Sequence, residues 1–218
     1  MKTREERVRE LTAIGRKLLL NKMIAGSDGN LSARLENGNI LVTASGSRLG
    51  ELTESDFVEI DSDGNQINGN GLPTSELKMH LFVYKNRPEI NYSVHSHPVN
   101  ATAFAVAGEE LPENILPEVL VFVGRIPLTE YAPPGTDSVP ESISPFIKNS
   151  DAFLLRNHGL LTIGKSANEA MNRHETVEHF ARIIIKARQL GDLTTIPKED
   201  VSRLYALREK MNTENQLS

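Results

Sequence analysis

Four short strand candidates follow one another early in this chain with no helix between them, and that run decides most of what the chain can become. They lie near residues 31–35 and 39–43, at Phe57-Val58-Glu59-Ile60, and at about 65–68. Asp61-Ser62-Asp63-Gly64-Asn65 carries the Asp-Gly signal of a tight hairpin between the last two. Strands joined by short turns pair antiparallel, because a parallel pair needs a crossover of about a dozen residues or more. Further strands are expected over 91–95, 116–123, 152–155 and 160–163. Val8, Leu11, Ile14, Leu18 and Leu19 recur at helical spacing, which predicts an amphipathic helix over 4–21. Other helices are predicted to start at a Thr74 or Ser75 cap and to cover 98–107, 138–148, 167–190 and 198–211. The expectation is an α/β fold with a mixed, mostly antiparallel central sheet flanked by helices.

The chain has 218 residues, 39% of them hydrophobic and 24% charged, which suits one domain over residues 1–212. Residues 213–218 read as a disordered tail. There is no cysteine, so any metal ligands must be histidine or carboxylate, and neither a thiolate site nor a cysteine nucleophile is available. A formal net charge of −5 argues against nucleic acid and anionic membrane as partners. No apolar run approaches the roughly 20 residues that span a bilayer. The charged start, Met1-Lys2-Thr3-Arg4-Glu5-Glu6-Arg7, lacks an apolar signal core, so a cytoplasmic protein is expected.

Within this frame the chemistry gathers at Val94-His95-Ser96-His97-Pro98. Histidines at i and i+2 leave an extended backbone on the same side, so one strand can aim two imidazoles at a point. His158, in Arg156-Asn157-His158-Gly159-Leu160, can supply a third. Three imidazoles with one open position is the arrangement catalytic zinc favours; the alternative is a set of unrelated histidines. Glu76 stands at a predicted helix start, where it is either a general acid/base beside the metal or an ordinary dipole-stabilising glutamate. Its pKa is expected to be raised in a water-poor site. His80 shares a helix face with Glu76 and is either a support to the site, a spare ligand or a packed histidine. Gly26-Ser27-Asp28-Gly29-Asn30-Leu31-Ser32 and Thr43-Ala44-Ser45-Gly46-Ser47-Arg48 are turns able to cradle a phosphate, or ordinary loops. Thr74-Ser75 at a helix start would add donors.

The ordered set Gly29-Asn30-Leu31-Ser32, Thr43-Ala44-Ser45-Gly46, Pro73-Thr74-Ser75-Glu76, His95-Ser96-His97, Ile126-Pro127 through Gly135-Thr136, and His158-Gly159-Leu160 resembles the class II aldolase/adducin family. The likeness is greatest to its fuculose-1-phosphate aldolase branch. The resemblance implies a three-layer α/β/α sandwich. It implies one Zn²⁺ per subunit (Mn²⁺ or Co²⁺ being possible substitutes) on His95, His97 and His158, with Glu76 as acid/base. Gly29, Asn30, Ser45, Gly46, Thr74 and Ser75 would then bind the phosphate of a phosphorylated sugar. It further implies a homotetramer with active sites at subunit interfaces. The reaction would be reversible cleavage of a fuculose-1-phosphate-like ketose 1-phosphate into dihydroxyacetone phosphate and an aldehyde, through a metal-stabilised enediolate. The competing readings are a ribulose-5-phosphate 4-epimerase, a phosphosugar-acid decarboxylase or dehydratase, and a non-catalytic adducin-like interaction module.

Overall fold

The computed structural model describes residues 2–217, with side chains as far as Met211. Helix α1 (Arg4–Leu20) opens on a capping box, in which the Thr3 hydroxyl accepts from the Glu6 amide and the Glu6 carboxylate accepts from the Thr3 amide. Strands β1 (Asn30–Arg34), β2 (Ile40–Thr43), β3 (Phe57–Ile60) and β4 (Gln66–Asn68) follow. Next come α2 (Leu77–Asn86), β5 (Tyr92–Ser96) and α3 (Val99–Ala107), which ends on left-handed Gly108. The chain finishes with α4 (Ser138–Ile143), β6 (Ala152–Leu155), β7 (Gly159–Gly164), α5 (Ala167–Leu190) and α6 (Lys198–Leu217).

The strands form one sheet in the order β4-β3-β2-β1-β5-β7-β6. All six pairings between these strands are antiparallel, so the expected mixed character shrinks to one isolated parallel bridge, Leu128 to Leu154. Alternation along β1 and β5 splits the two faces. Leu31, Ala33, Tyr92 and Val94 pack with Leu11, Ile14 and Leu18 of α1 and with Ala170 and Met171 of α5. Ala152, Leu154 and Leu160 meet α3 and α5. On the other face Phe153, Leu161 and Ile163 meet Met79 and Val83 of α2 and Val139 and Ile143 of α4. Register pairs His95 with both Asn30 and Leu161, so the polar face of β1 runs beneath α2 towards the histidines.

Four expectations need correction. The apolar run expected to be extended over 116–123 instead forms a π-helical segment, Val119–Val123, closed by the Gly124 amide donating to Val119 O. Two of its carbonyls are taken by distant guanidiniums: Arg173 donates to Phe122 O and Arg208 to Val121 O. No local periodicity reports such partners, and short apolar runs are ambiguous between strand and buried helix. Helix α4 stops at Ile143 rather than 148, since Pro145 has no amide to continue the ladder. Neither Thr74 nor Ser75 caps α2; Glu76 occupies that position, and the Thr74 hydroxyl accepts from the Glu76 amide. Finally, α6 is assigned to Leu217 rather than ending near 211, over a stretch free of Gly and Pro; Ser218 lies outside the described residues.

Candidate functional site

His95 leaves the last turn of β5 on the α2 face and is fully buried, while His97 follows just past the strand end. Its partner strand β7 begins one residue after His158, in a turn where Asn157 takes a positive φ of 54°. The three rings meet with centroids 4.7 to 5.1 Å apart. Nitrogen atoms of all three lie within 4.8 Å of one another, the sequence-predicted set.

The hydrogen bonds determine which nitrogens face inward. His95 Nδ1 lies 3.0 Å from Leu160 O, which can only accept, so His95 Nδ1 carries the proton and its Nε2 presents a lone pair. Asp28 Oδ2 stands 3.7 Å from His97 Nδ1 and biases that ring the same way. His97 Nε2 and His95 Nε2 are then 3.3 Å apart with lone pairs opposed. A tetrahedral ion at about 2.0–2.1 Å from each nitrogen sets an edge of roughly 3.3–3.4 Å. The Glu76 carboxylate closes the fourth side, Oε2 being 3.1 Å from His95 Nε2 and Oε1 3.3 Å from His158 Nε2. Oε1 is buried and has no hydrogen-bond partner. Opposed lone pairs and an orphaned carboxylate oxygen around one point are what a divalent cation would resolve, so the residues fit a metal.

Burial by itself raises the Glu76 carboxyl, but the His95 and His158 imidazoles, with the hydrogen bond from Asn30, outweigh it and hold the group well below the usual carboxylate range. The raised pKa expected from desolvation is therefore reversed, because the site that removes water also supplies the partners. His158 is driven down to about 4, chiefly by burial. It is neutral, and available as a ligand, near neutral pH.

Two glycines are demanded by close approach. Gly29 sits at φ 81°, and a Cβ there would come within 2.5 Å of His95 O. A Cβ on Gly159 would lie 2.5 Å from His97 Cδ2 and 2.6 Å from Ser96 O. Since Ser96 O belongs to a central strand that cannot retreat, Gly159→Ala is expected to weaken binding of a metal offered to the three histidines by roughly 10–100-fold, the usual loss when a ligand is displaced from behind. Titration against a chromophoric chelator reads it; unchanged affinity would mean the strand yields instead.

The remaining predicted residues converge at the same end of the sheet. Ala44 bridges to Pro73, the Ser45 amide donates to Leu72 O and the Thr74 amide to Thr43 O, which lays the 43–46 turn along 72–75. Ser45, Gly46 and Ser75 are exposed, and Thr74 is buried. Gly29 adjoins them through β1, whose Leu31 amide donates to the Thr43 hydroxyl. Asn30 is placed differently from the exposed loop residues: it is buried, and its amide bonds Glu76 and His80.

Sequence reasoning left His80 undecided, quoted Ser32 only within a turn motif, and gave Tyr84 and His174 no role. Ser32 Oγ lies 2.7 Å from His80 Nδ1 and 2.8 Å from the Tyr84 hydroxyl. His174, on α5, lies with Nε2 2.7 Å from Ser96 Oγ and Nδ1 2.9 Å from Thr162 Oγ1, beneath the histidine strand. The available signals were spacings: Ser32 is i+2 from Asn30 on a strand, and Tyr84 is i+4 from His80 on a helix.

Residues 9–185 match the class II aldolase and adducin N-terminal domain family. An L-fuculose phosphate aldolase of Methanococcus maripaludis is 37% identical over 171 residues, covering 78% of this chain and 91% of the relative. A 3-oxo-tetronate 4-phosphate decarboxylase of Escherichia coli K12 is 33% identical over 179 residues, covering 80% and 84%. A solved L-fuculose 1-phosphate aldolase superposes with a TM-score of 0.87 at 31% identity, covering 97% of this chain and 98% of its own.

Proposed function

The chain belongs to the class II aldolase and adducin family, and on that premise we propose that it is a zinc-dependent aldolase. It would reversibly cleave a ketose 1-phosphate into dihydroxyacetone phosphate and an aldehyde. The observation that carries this reading is the Glu76 carboxylate standing 3.1 Å from His95 and 3.3 Å from His158, two of three convergent imidazoles. His95, His97 and His158 would hold the zinc, and a bound zinc would supply Lewis-acid stabilisation of the charge that develops on substrate oxygens as the C3–C4 bond breaks.

The protein's own groups account for the rest. Ser45, Gly46, Thr74 and Ser75 line the turn at the open end of the site and would hold the phosphate through hydroxyls and backbone N–H groups, with Gly29 shaping the pocket. Asn30 joins them through the second hydrogen on Nδ2. Glu76 delivers a proton to the carbon freed by cleavage and removes it again in the synthetic direction. Burial of Glu76 and His95 excludes water from that transfer. The proposal includes the homotetramer implied by the family, with exposed Leu72 and Tyr131 available as contact surface near the site turns. It also includes a cytoplasmic location; no described helix is long and apolar enough to cross a membrane.

A second reading, decarboxylation of a phosphorylated sugar acid, is favoured by the Escherichia coli relative. Proton exchange of dihydroxyacetone phosphate in D₂O, followed by NMR with zinc-loaded protein, separates the two. An aldolase washes out one C3 proton without any aldehyde present. A zinc-replete protein that leaves the signal intact overturns the aldolase and moves the assignment to the decarboxylase.

A further inference from the structure

Behind Glu76 the protein buries a line of polar groups that the reaction as described does not use. Glu76, His80 and Tyr84 stand four residues apart along α2 and its cap, while Asn30 and Ser32 stand two apart on β1. Four residues of helix rise about 6 Å and two of strand about 6.8 Å, so the two rows interleave. The contacts alternate between them: Glu76 to Asn30 at 2.9 Å, Asn30 to His80 at 2.6 Å, His80 to Ser32 at 2.7 Å, and Ser32 to Tyr84 at 2.8 Å. His80 and Ser32 are fully buried, and Asn30 and Tyr84 are 4% exposed.

The Asn30 amide orders every proton in this line. Its Nδ2 donates to Glu76 Oε2 at 2.9 Å, and its Oδ1, which can only accept, faces His80 Nε2 at 2.6 Å. His80 Nε2 must then donate to Oδ1, leaving Nδ1 as an acceptor for the Ser32 hydroxyl. Ser32, having given its hydrogen, accepts from Tyr84. Burial drives His80 down to about 3, so the ring stays neutral and the direction persists across ordinary pH.

We propose that His80 is a positioning residue for the acid/base, acting through Asn30: its Nε2–H locks the Asn30 amide so that Nδ2, never Oδ1, faces the Glu76 carboxylate. Among the described residues His80 is the one partner Asn30 Oδ1 has. Without it the amide can turn over and present an oxygen to the carboxylate, which repels Glu76 from its working position. This inference rests on the reading of Glu76 as the acid/base.

The test joins kinetics to a spectroscopic readout. Zinc-loaded His80→Phe should lose about 10²-fold in kcat for dihydroxyacetone phosphate exchange, the scale of a misplaced catalytic group. Its zinc content should be unchanged. His80→Gln, whose side-chain amide can still donate to Asn30 Oδ1, should recover most of that loss. Long-range ¹H–¹⁵N spectra of histidine-labelled wild type, metal-free and zinc-loaded, should show His80 as the neutral Nε2–H tautomer. An Nδ1–H tautomer, equal losses in the Phe and Gln variants, or a change confined to KM would each overturn the proposal. The tautomer is read on wild type, so it decides the case even if His80→Phe does not fold. Wild type without exchange, but with the Nε2–H tautomer, would sink the acid/base reading and leave the hydrogen-bond order standing.

Discussion

Glu76→Gln is expected to slow dihydroxyacetone phosphate exchange by about 10²–10⁴-fold, the range general acid/base groups supply, while zinc is still taken up. The amide keeps the volume of the carboxyl and can still accept from Asn30, so the packing under α2 survives. What disappears is the acceptor for a carbon-bound proton. The effect is large because nothing nearby can substitute: the three imidazoles would be committed to a bound metal, and His80 and His174 are buried neutral behind Asn30 and Ser96. Exchange within tenfold of wild type would remove Glu76 from the mechanism.

The largest effect on stability is expected far from the site, at Asp151. This one carboxylate, with its side chain 10% exposed, pairs with Arg87 at 2.9 Å, Arg173 at 3.0 Å and Arg208 at 2.9 Å. The three guanidiniums come from the end of α2, from α5 and from α6, so Asp151 ties three helices to the start of β6. Glu89 and Glu169 neutralise part of that charge at Arg87 and Arg173, but Arg208 has no other carboxylate among its described ion pairs. Asp151→Asn keeps the shape and removes the anion, leaving guanidiniums facing one another with little water. Breaking a buried pair from one side costs about 3–5 kcal/mol. For a domain of this size that corresponds to a fall in Tm of roughly 6–20 °C, followed by circular dichroism. A fall of less than about 2 °C would show that solvent or Glu169 already screens the cluster.

Much of the site was readable beforehand because its signals are local. His95 and His97 share a strand side by the two-residue period, and the Asp-Gly turn at 63–64 announces a hairpin that the structure contains. His95, His97 and His158 come together as a group that could hold a metal ion. Glu76 was placed at the helix start, but its cap role was given to Thr74 or Ser75, since cap preferences rank residue types and cannot see that the Thr74 hydroxyl is turned to the Glu76 amide.

What local pattern settled is the identity of the elements and which side chains share a face, since the periods 2 and 3.6 are properties of the backbone alone. What only the tertiary structure decided is which faces meet. Strand order sets α2 over β1, and that meeting turns Asn30 inward to Glu76 and makes a relay of His80, Ser32 and Tyr84. The same holds for the π-helical segment, whose free carbonyls are answered by Arg173 and Arg208 from α5 and α6. It holds too for the Glu76 carboxyl, raised by its burial and lowered further by the imidazoles gathered round it. Each depends on partners far apart in the chain, and the strength of a buried polar contact is set by the partner as much as by the residue.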